Sequence, residues 1–318
     1  ALGWRVYSLD LLGFGRSGQP GCALDNRLWG RQVCAFLTDV VQTPAVVVGN
    51  SLGGLTALTA AVLQPALIRA VVAAPLPDPA LVQPLPTRRP PWRRRWQRRL
   101  IKLILRLLPL ELLVPLIART PLLQSALQGA YRASIQGDRE LLQLIRRPAR
   151  RPTAARALRG MSLGMALRPR GATAPCLLQR LQIPLLLIWG RQDNFVPMSI
   201  GKQVAADHPQ VELNVIDDCG HCPHDEVPDR FLAVLLPLAG APLASVAKVW
   251  LVVQLVAQAS AAAGAAIAAC VFDAKRAVAV LIVYMVGAMA AGGYFVDLTR
   301  APPAIAWVRY TSSWYYAL

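Results

Sequence analysis

Gly49-Asn50-Ser51-Leu52-Gly53 carries the first chemical signal in the chain. A serine with glycines two residues to either side suits a tight strand-to-helix turn that lifts its hydroxyl clear of a sheet. That hydroxyl is a poor nucleophile until a base takes its proton, and the base needs a carboxylate to fix its tautomer. Two later positions provide these types. Asp193 follows the apolar run Ile183–Trp189, and His221 follows the alternating run Val211–Ile216. The expected roles are Ser51 as nucleophile, His221 as general base and then acid, and Asp193 as its orienting partner. The Leu52 backbone N–H is an expected oxyanion donor, and neither a cofactor nor a metal is expected. Asp193 could instead cap the helix that follows. His208 and His224 compete with His221, but His208 falls at a helix end, and His224 sits where it could orient the loop.

The elements that must position these groups alternate. Trp4–Asp10 reads as a buried strand, and Leu12-Gly13-Phe14-Gly15-Arg16-Ser17 as a Gly-rich loop after it. A helix is predicted from about Leu24 to Val41, on the stripe Leu28, Val33, Phe36, Leu37, Val40. A strand over Ala45–Gly49 enters the serine turn, and small residues carry a helix on to about Gln64. Gly49 and Gly53 are expected where side chains must be minimal, and Gly54 where the helix approaches the sheet. Ile68–Ala73, Ile183–Trp189 and Val211–Ile216 read as further strands, with helices over Met198–Asp207 and Pro228–Leu238. Strands alternating with helices argue for a parallel α/β sheet.

Charge is concentrated in one segment. Between Arg88 and Arg170 there are 20 Lys/Arg against three acidic residues, while the remainder holds 14 of each sign, so this stretch accounts for the whole net charge of +17. Within it Trp92, Trp96, Leu100, Leu103, Ile104, Leu107 and Leu108 share a helical face, and Arg93, Arg94, Arg95, Arg98, Arg99 and Lys102 fill much of the rest. Such a helix can pack its apolar face on the domain below or lie in a membrane interface with anionic lipid, and the two are compatible. No nucleic-acid module accompanies the arginines, so nucleic acid is not an expected partner. The six cysteines are scattered and suggest no disulfide framework. Cys219-Gly220-His221-Cys222 has dithiol spacing, but no sheet continues beyond it as a redox domain would require.

After Gly240-Ala241-Pro242 the composition changes. Val249–Phe272 is 24 residues without charge and Ala277–Val296 another 20, each long enough to span a bilayer. Hydrophobic residues make up 55% of the chain, with a mean hydropathy of +0.40, in keeping with a membrane contribution. The expected organisation is residues 1–74 and 181–240 as two parts of one core, 75–180 as a helical basic cap, and 246–318 as a transmembrane-like segment.

The runs Tyr7-Ser8-Leu9-Asp10-Leu11-Leu12-Gly13-Phe14-Gly15-Arg16-Ser17, Gly49-Asn50-Ser51-Leu52-Gly53-Gly54 and Gly220-His221-Cys222-Pro223-His224-Asp225-Glu226 resemble the α/β-hydrolase superfamily, in its plant and cyanobacterial pheophytinase-like branch. The resemblance implies a truncated α/β-hydrolase parallel sheet with a helical cap, followed by a hydrophobic helical membrane segment. It implies a serine esterase acting on a small lipophilic ester, with the phytyl ester of chlorophyll-derived pigments as the branch's substrate. The implied location is a membrane, in a plastid or thylakoid. It also implies three strands before Trp4, carrying the second oxyanion donor, so the sequence reads as a piece of a longer chain. A slot is then expected between the Val6 and Val47 strands, which either stays open or closes by re-pairing. The tail, through Gly292-Gly293-Tyr294-Phe295-Val296-Asp297 and Trp307-Val308-Arg309-Tyr310-Thr311-Ser312, resembles the membrane domain of white-type (G) subfamily ABC transporters. It implies either a membrane-tethered fusion or two unrelated coding pieces joined in error.

Overall fold

Among the described residues four strands, rich in β-branched and aliphatic residues, form one sheet: β1 Ala45–Asn50, β2 Ile68–Ala74, β3 Leu185–Gly190 and β4 Val211–Ile216. All neighbouring pairs are parallel, in the order β1-β2-β3-β4. Val47 lies opposite Val71, Val72 opposite Leu186, and Leu187 opposite Leu213. The computed structural model describes residues 5–82 and 91–238, and Ser8–Ala239 forms one compact unit.

Parallel strands need crossovers, and helices provide them on both faces. Before β1 stands α1 (Asn26–Phe36), whose last turn widens into a π-helical turn over Leu37–Val41. Asp25 caps α1 by accepting from the N–H groups of Arg27 and Leu28. Between β1 and β2 runs α2 (Leu52–Leu63), apolar on nearly every side and accordingly buried. Successive residues of the central strands feed opposite faces. Val71, Ala73, Leu185 and Leu187 pack with α1 and α2, whereas Val72, Ala74, Leu186 and Ile188 pack with Phe231 from the final helix.

Between β2 and β3 the described chain holds no strand. After the short α3 (Pro79–Val82) come α4 (Pro91–Leu107), α5 (Leu110–Arg119), α6 (Leu122–Gln128), α7 (Arg139–Ala149), α8 (Ala154–Leu167) and α9 (Ala174–Leu178). Asp78, buried just after β2, ties the exit of this insert to its entry. It pairs with Arg168 at 2.7 Å and accepts from the Ala174 N–H. The strand–helix alternation then resumes with α10 (Met198–Asp207), α11 (Pro223–Glu226) and α12 (Pro228–Leu238) around β3 and β4.

The Trp4–Asp10 expectation fails over the described residues: residues 5–10 form no strand, and Val6 is 88% exposed. A strand needs a ladder partner, and the segment finds its partners elsewhere. Gln32 on α1 donates to the Asp10 carbonyl and accepts from the Leu12 N–H, while Ser17 Oγ donates to the Asp10 carbonyl. Among the described residues β1 pairs with β2 alone, and Val48 on β1 is 43% exposed. No single helix among the described residues is long and apolar enough to cross a membrane. The expected membrane segment and transporter-like tail, residues 246–318, lie outside the described residues.

Candidate active site

The turn after β1 is strained at the serine. Ser51 has φ 52° and ψ −118°, a conformation L-residues adopt rarely and tolerate only where surrounding structure enforces it. The enforcement is visible at Gly49, where a Cβ would stand 2.1 Å from the Gly53 carbonyl carbon. At Gly54 a Cβ would meet Ala73 Cβ at 2.9 Å, so this glycine sets the approach of α2 to β2. Gly53 corrects the expectation, since a Cβ there would meet nothing within 4 Å. Ser51 does not cap α2 with its side chain, which leaves the hydroxyl uncommitted. Leu52 opens α2, where first-turn N–H groups have no carbonyl one turn back and can bind an anionic oxygen.

Asp193 and His221 are brought together at the carboxyl ends of β3 and β4. His221 Nδ1 and Asp193 Oδ2 are 2.9 Å apart, and both residues are buried. The other carboxylate oxygen, Oδ1, accepts from the N–H groups of Phe195 and Val196 at 2.8 and 2.9 Å. Asp193 therefore closes its own loop and does not cap α10, whose N-terminal flank is Pro197. An ionised carboxylate only accepts, so the neutral-ring tautomer that fits this contact carries its proton on Nδ1 and its lone pair on Nε2. The Phe195 ring lies 5.3 Å from the imidazole, tilted across it.

The His221 loop is held from three sides. Its own N–H donates to the Ala130 carbonyl at 2.7 Å, and its carbonyl accepts from Asn50 Nδ2 at 2.8 Å. Asn50 also donates to the Ala74 carbonyl, as does the Ser51 N–H, so the serine turn and the histidine loop share one anchor. Glu226 accepts from the Gly220 N–H at 2.8 Å and the Arg132 N–H at 2.6 Å, and Tyr131 donates to Asp225 at 2.8 Å. A Cβ at Gly220 would meet the Ala130 carbonyl oxygen at 2.6 Å. The helical insert, through Ala130–Arg132, thus clasps the loop that carries the imidazole. Asn50, Glu226 and this clasp were not anticipated as site residues. Asn50 and Glu226 fall inside the diagnostic runs, but nothing in the sequence marks Ala130–Arg132.

The structure brings Asp193 and His221 into direct contact and joins Ser51 to them through Asn50. Among the described residues no hydrogen bond links Ser51 Oγ to the imidazole. His208 ends α10, and His224 is exposed in a T-shaped contact with the Phe231 ring at 6.2 Å. The flanking thiols are free and poorly disposed to ionise. Burial foremost, then Glu226, pushes Cys219 up to about 12, and burial pushes Cys222 up to about 11. Reactive thiols shift the other way.

The family model described as "Alpha/beta hydrolase family" matches residues 1–234. Pheophytinase, chloroplastic, of Arabidopsis thaliana is 34% identical over 227 residues, which cover 68% of this chain and 46% of the relative. The chain thus spans about half the length of that protein. A 2-hydroxy-6-oxononadienedioate/2-hydroxy-6-oxononatrienedioate hydrolase of Cupriavidus pinatubonensis is 27% identical over 231 residues, 70% of this chain and 71% of that one. Among solved structures, a thermophilic esterase from Thermogutta terrifontis superposes with a TM-score of 0.51 at 21% identity, covering 72% of this chain and 79% of the esterase. That likeness speaks to the fold.

Proposed function

We propose, from the premise that this chain belongs to the alpha/beta hydrolase family, that it is a serine hydrolase cleaving a lipophilic carboxylic ester. Ser51 Oγ attacks the ester carbonyl while His221 Nε2 takes its proton. Asp193 holds the imidazolium through Nδ1, and the Leu52 N–H faces the oxygen that becomes negative. The alcohol departs with the proton from Nε2, and water, activated by the same nitrogen, releases the acid. No cofactor enters the cycle.

The observation that carries this reading is the buried Asp193–His221 pair, 2.9 Å apart on the loops after β3 and β4, beside a serine held at positive φ after β1. The greasy side of the substrate rests on the pheophytinase likeness, which covers 68% of the chain. We propose a phytyl-type ester, a membrane-associated location and, from the same relative, a plastid. Replacing Ser51 by Ala should abolish turnover of long-chain esters while leaving the melting temperature within a few degrees. Retained turnover would overturn the assignment. A second reading, a membrane-associated chain without turnover, draws on the lack of a Ser51–His221 hydrogen bond among the described residues. It predicts that wild-type and Ser51→Ala proteins are equally inert.

A further inference from the structure

The amphipathic helix α4 does not bury its apolar face on the domain. Trp96 is 65% exposed, Leu100 54%, Leu103 52%, Ile104 51% and Leu107 71%. At 100° per residue these five positions fall in one sector of the helix. The face turned inward is a different one. Ile101 and Leu105 are half-buried there, and Arg159 donates to the Leu105 carbonyl from α8. Arg99, Lys102 and Arg106 are exposed and border the apolar sector on one side. Pro91–Leu107 contains seven Lys/Arg and no acidic residue. On the next helix, α5, Leu112 and Leu116, one turn apart, are also exposed.

We propose that α4 is a docking surface for an anionic lipid bilayer. The helix lies in the plane of the interface, with Trp96, Leu100, Leu103 and Leu107 among the acyl chains and Arg99, Lys102 and Arg106 against phosphates. Charge selects this occupant. A second copy of α4 would bring the same positive sector and be repelled. Residues 239–318 contain five Lys/Arg against two Asp, so the chain's own C-terminal part supplies no complementary charge either. At 17 residues the helix is about 25 Å long, and its charges exclude a spanning orientation. A bilayer surface offers both the negative potential and the apolar depth that this face requires. The surface uses none of the Ser51, Asp193 or His221 chemistry, so its fate is separate from that of the proposed hydrolase.

The test is flotation of the full chain with vesicles of phosphatidylcholine alone and of phosphatidylcholine mixed with phosphatidylserine. Binding is expected to the mixed vesicles, falling as salt rises. Arg99→Gln/Lys102→Gln/Arg106→Gln should weaken it about fivefold per charge, about a hundredfold together. Leu100→Glu/Leu107→Glu should remove it, and both positions are already exposed, so the fold is spared. Ser51→Ala should bind as wild type. Equal binding to neutral vesicles by wild type and both variants would place the attachment elsewhere and overturn the proposal. So would an absence of vesicle binding, or a self-association of the chain that the leucine variant dissolves.

Discussion

Replacing Asp193 by Asn tests how the imidazole is held. The variant keeps the size of the side chain, and its Oδ1 can still accept from the Phe195 and Val196 N–H groups, so the loop retains its shape. What changes is the atom 2.9 Å from His221 Nδ1. A carboxylate oxygen favours the tautomer with its proton on Nδ1 and leaves Nε2 free for the proposed proton transfer from Ser51. An amide turns an NH₂ toward Nδ1, so the neutral ring places its proton on Nε2 and can no longer act as the base. The loss expected for such a wrong tautomer is about 10⁴-fold in kcat, about 5 kcal/mol of barrier. KM should hold, because no binding contact is altered. The assay is steady-state hydrolysis of p-nitrophenyl esters of increasing chain length, with melting temperature as the control. A loss below tenfold in a folded variant would refute this role for Asp193.

Gly49→Ala should lower stability by about 3 kcal/mol or more, because its Cβ would overlap the Gly53 backbone, whereas Gly53→Ala should be neutral or stabilising by up to about 1 kcal/mol. Chemical denaturation of the two variants checks the contrast. Glu226→Ala leaves the Gly220 and Arg132 N–H groups without their acceptor and should cost about 1–3 kcal/mol. Because the histidine loop is what it frees, kcat should fall more than KM rises. At pH 8.5 an ordinary thiol is about half ionised. Cys219 at about 12 and Cys222 at about 11 are then still protonated, their thiolate fraction appearing only as pH climbs toward those values. Both should resist iodoacetamide in the native protein and react in denaturant, as read by peptide mass. Alkylation of either as fast as exposed Cys22 would contradict that burial.

The core elements were legible because their periodicities are local. Val211–Ile216 alternates, Met198–Asp207 and Pro228–Leu238 begin and end on clear signals, and all three stand where the pattern puts them. Trp4–Asp10 has equally good strand residues, but a strand is a statement about a neighbour, and at its end the Asp10 carbonyl is taken by the side chains of Gln32 and Ser17. Gly53 matched the motif without being sterically required, a distinction that only the path of α2 reveals. For α4 the pattern left two outcomes open, since an apolar sector looks the same whether it meets a domain or water. The proposed site divides along the same line. Ser51, Asp193 and His221 declare themselves by type and by following strands. The contacts that steady the histidine loop join residues such as Tyr131 and Asp225, 94 positions apart, and leave no trace in spacing.

The proposed hydrolase requires a nucleophilic hydroxyl at Ser51 served by the Asp193–His221 pair. Intact-mass analysis after treatment with a serine-reactive fluorophosphonate tests this most directly. One adduct is predicted, mapping to the peptide that contains Ser51 and vanishing in both Ser51→Ala and His221→Ala. A folded wild-type chain that takes up no adduct, or takes it up at another serine, would contradict the account.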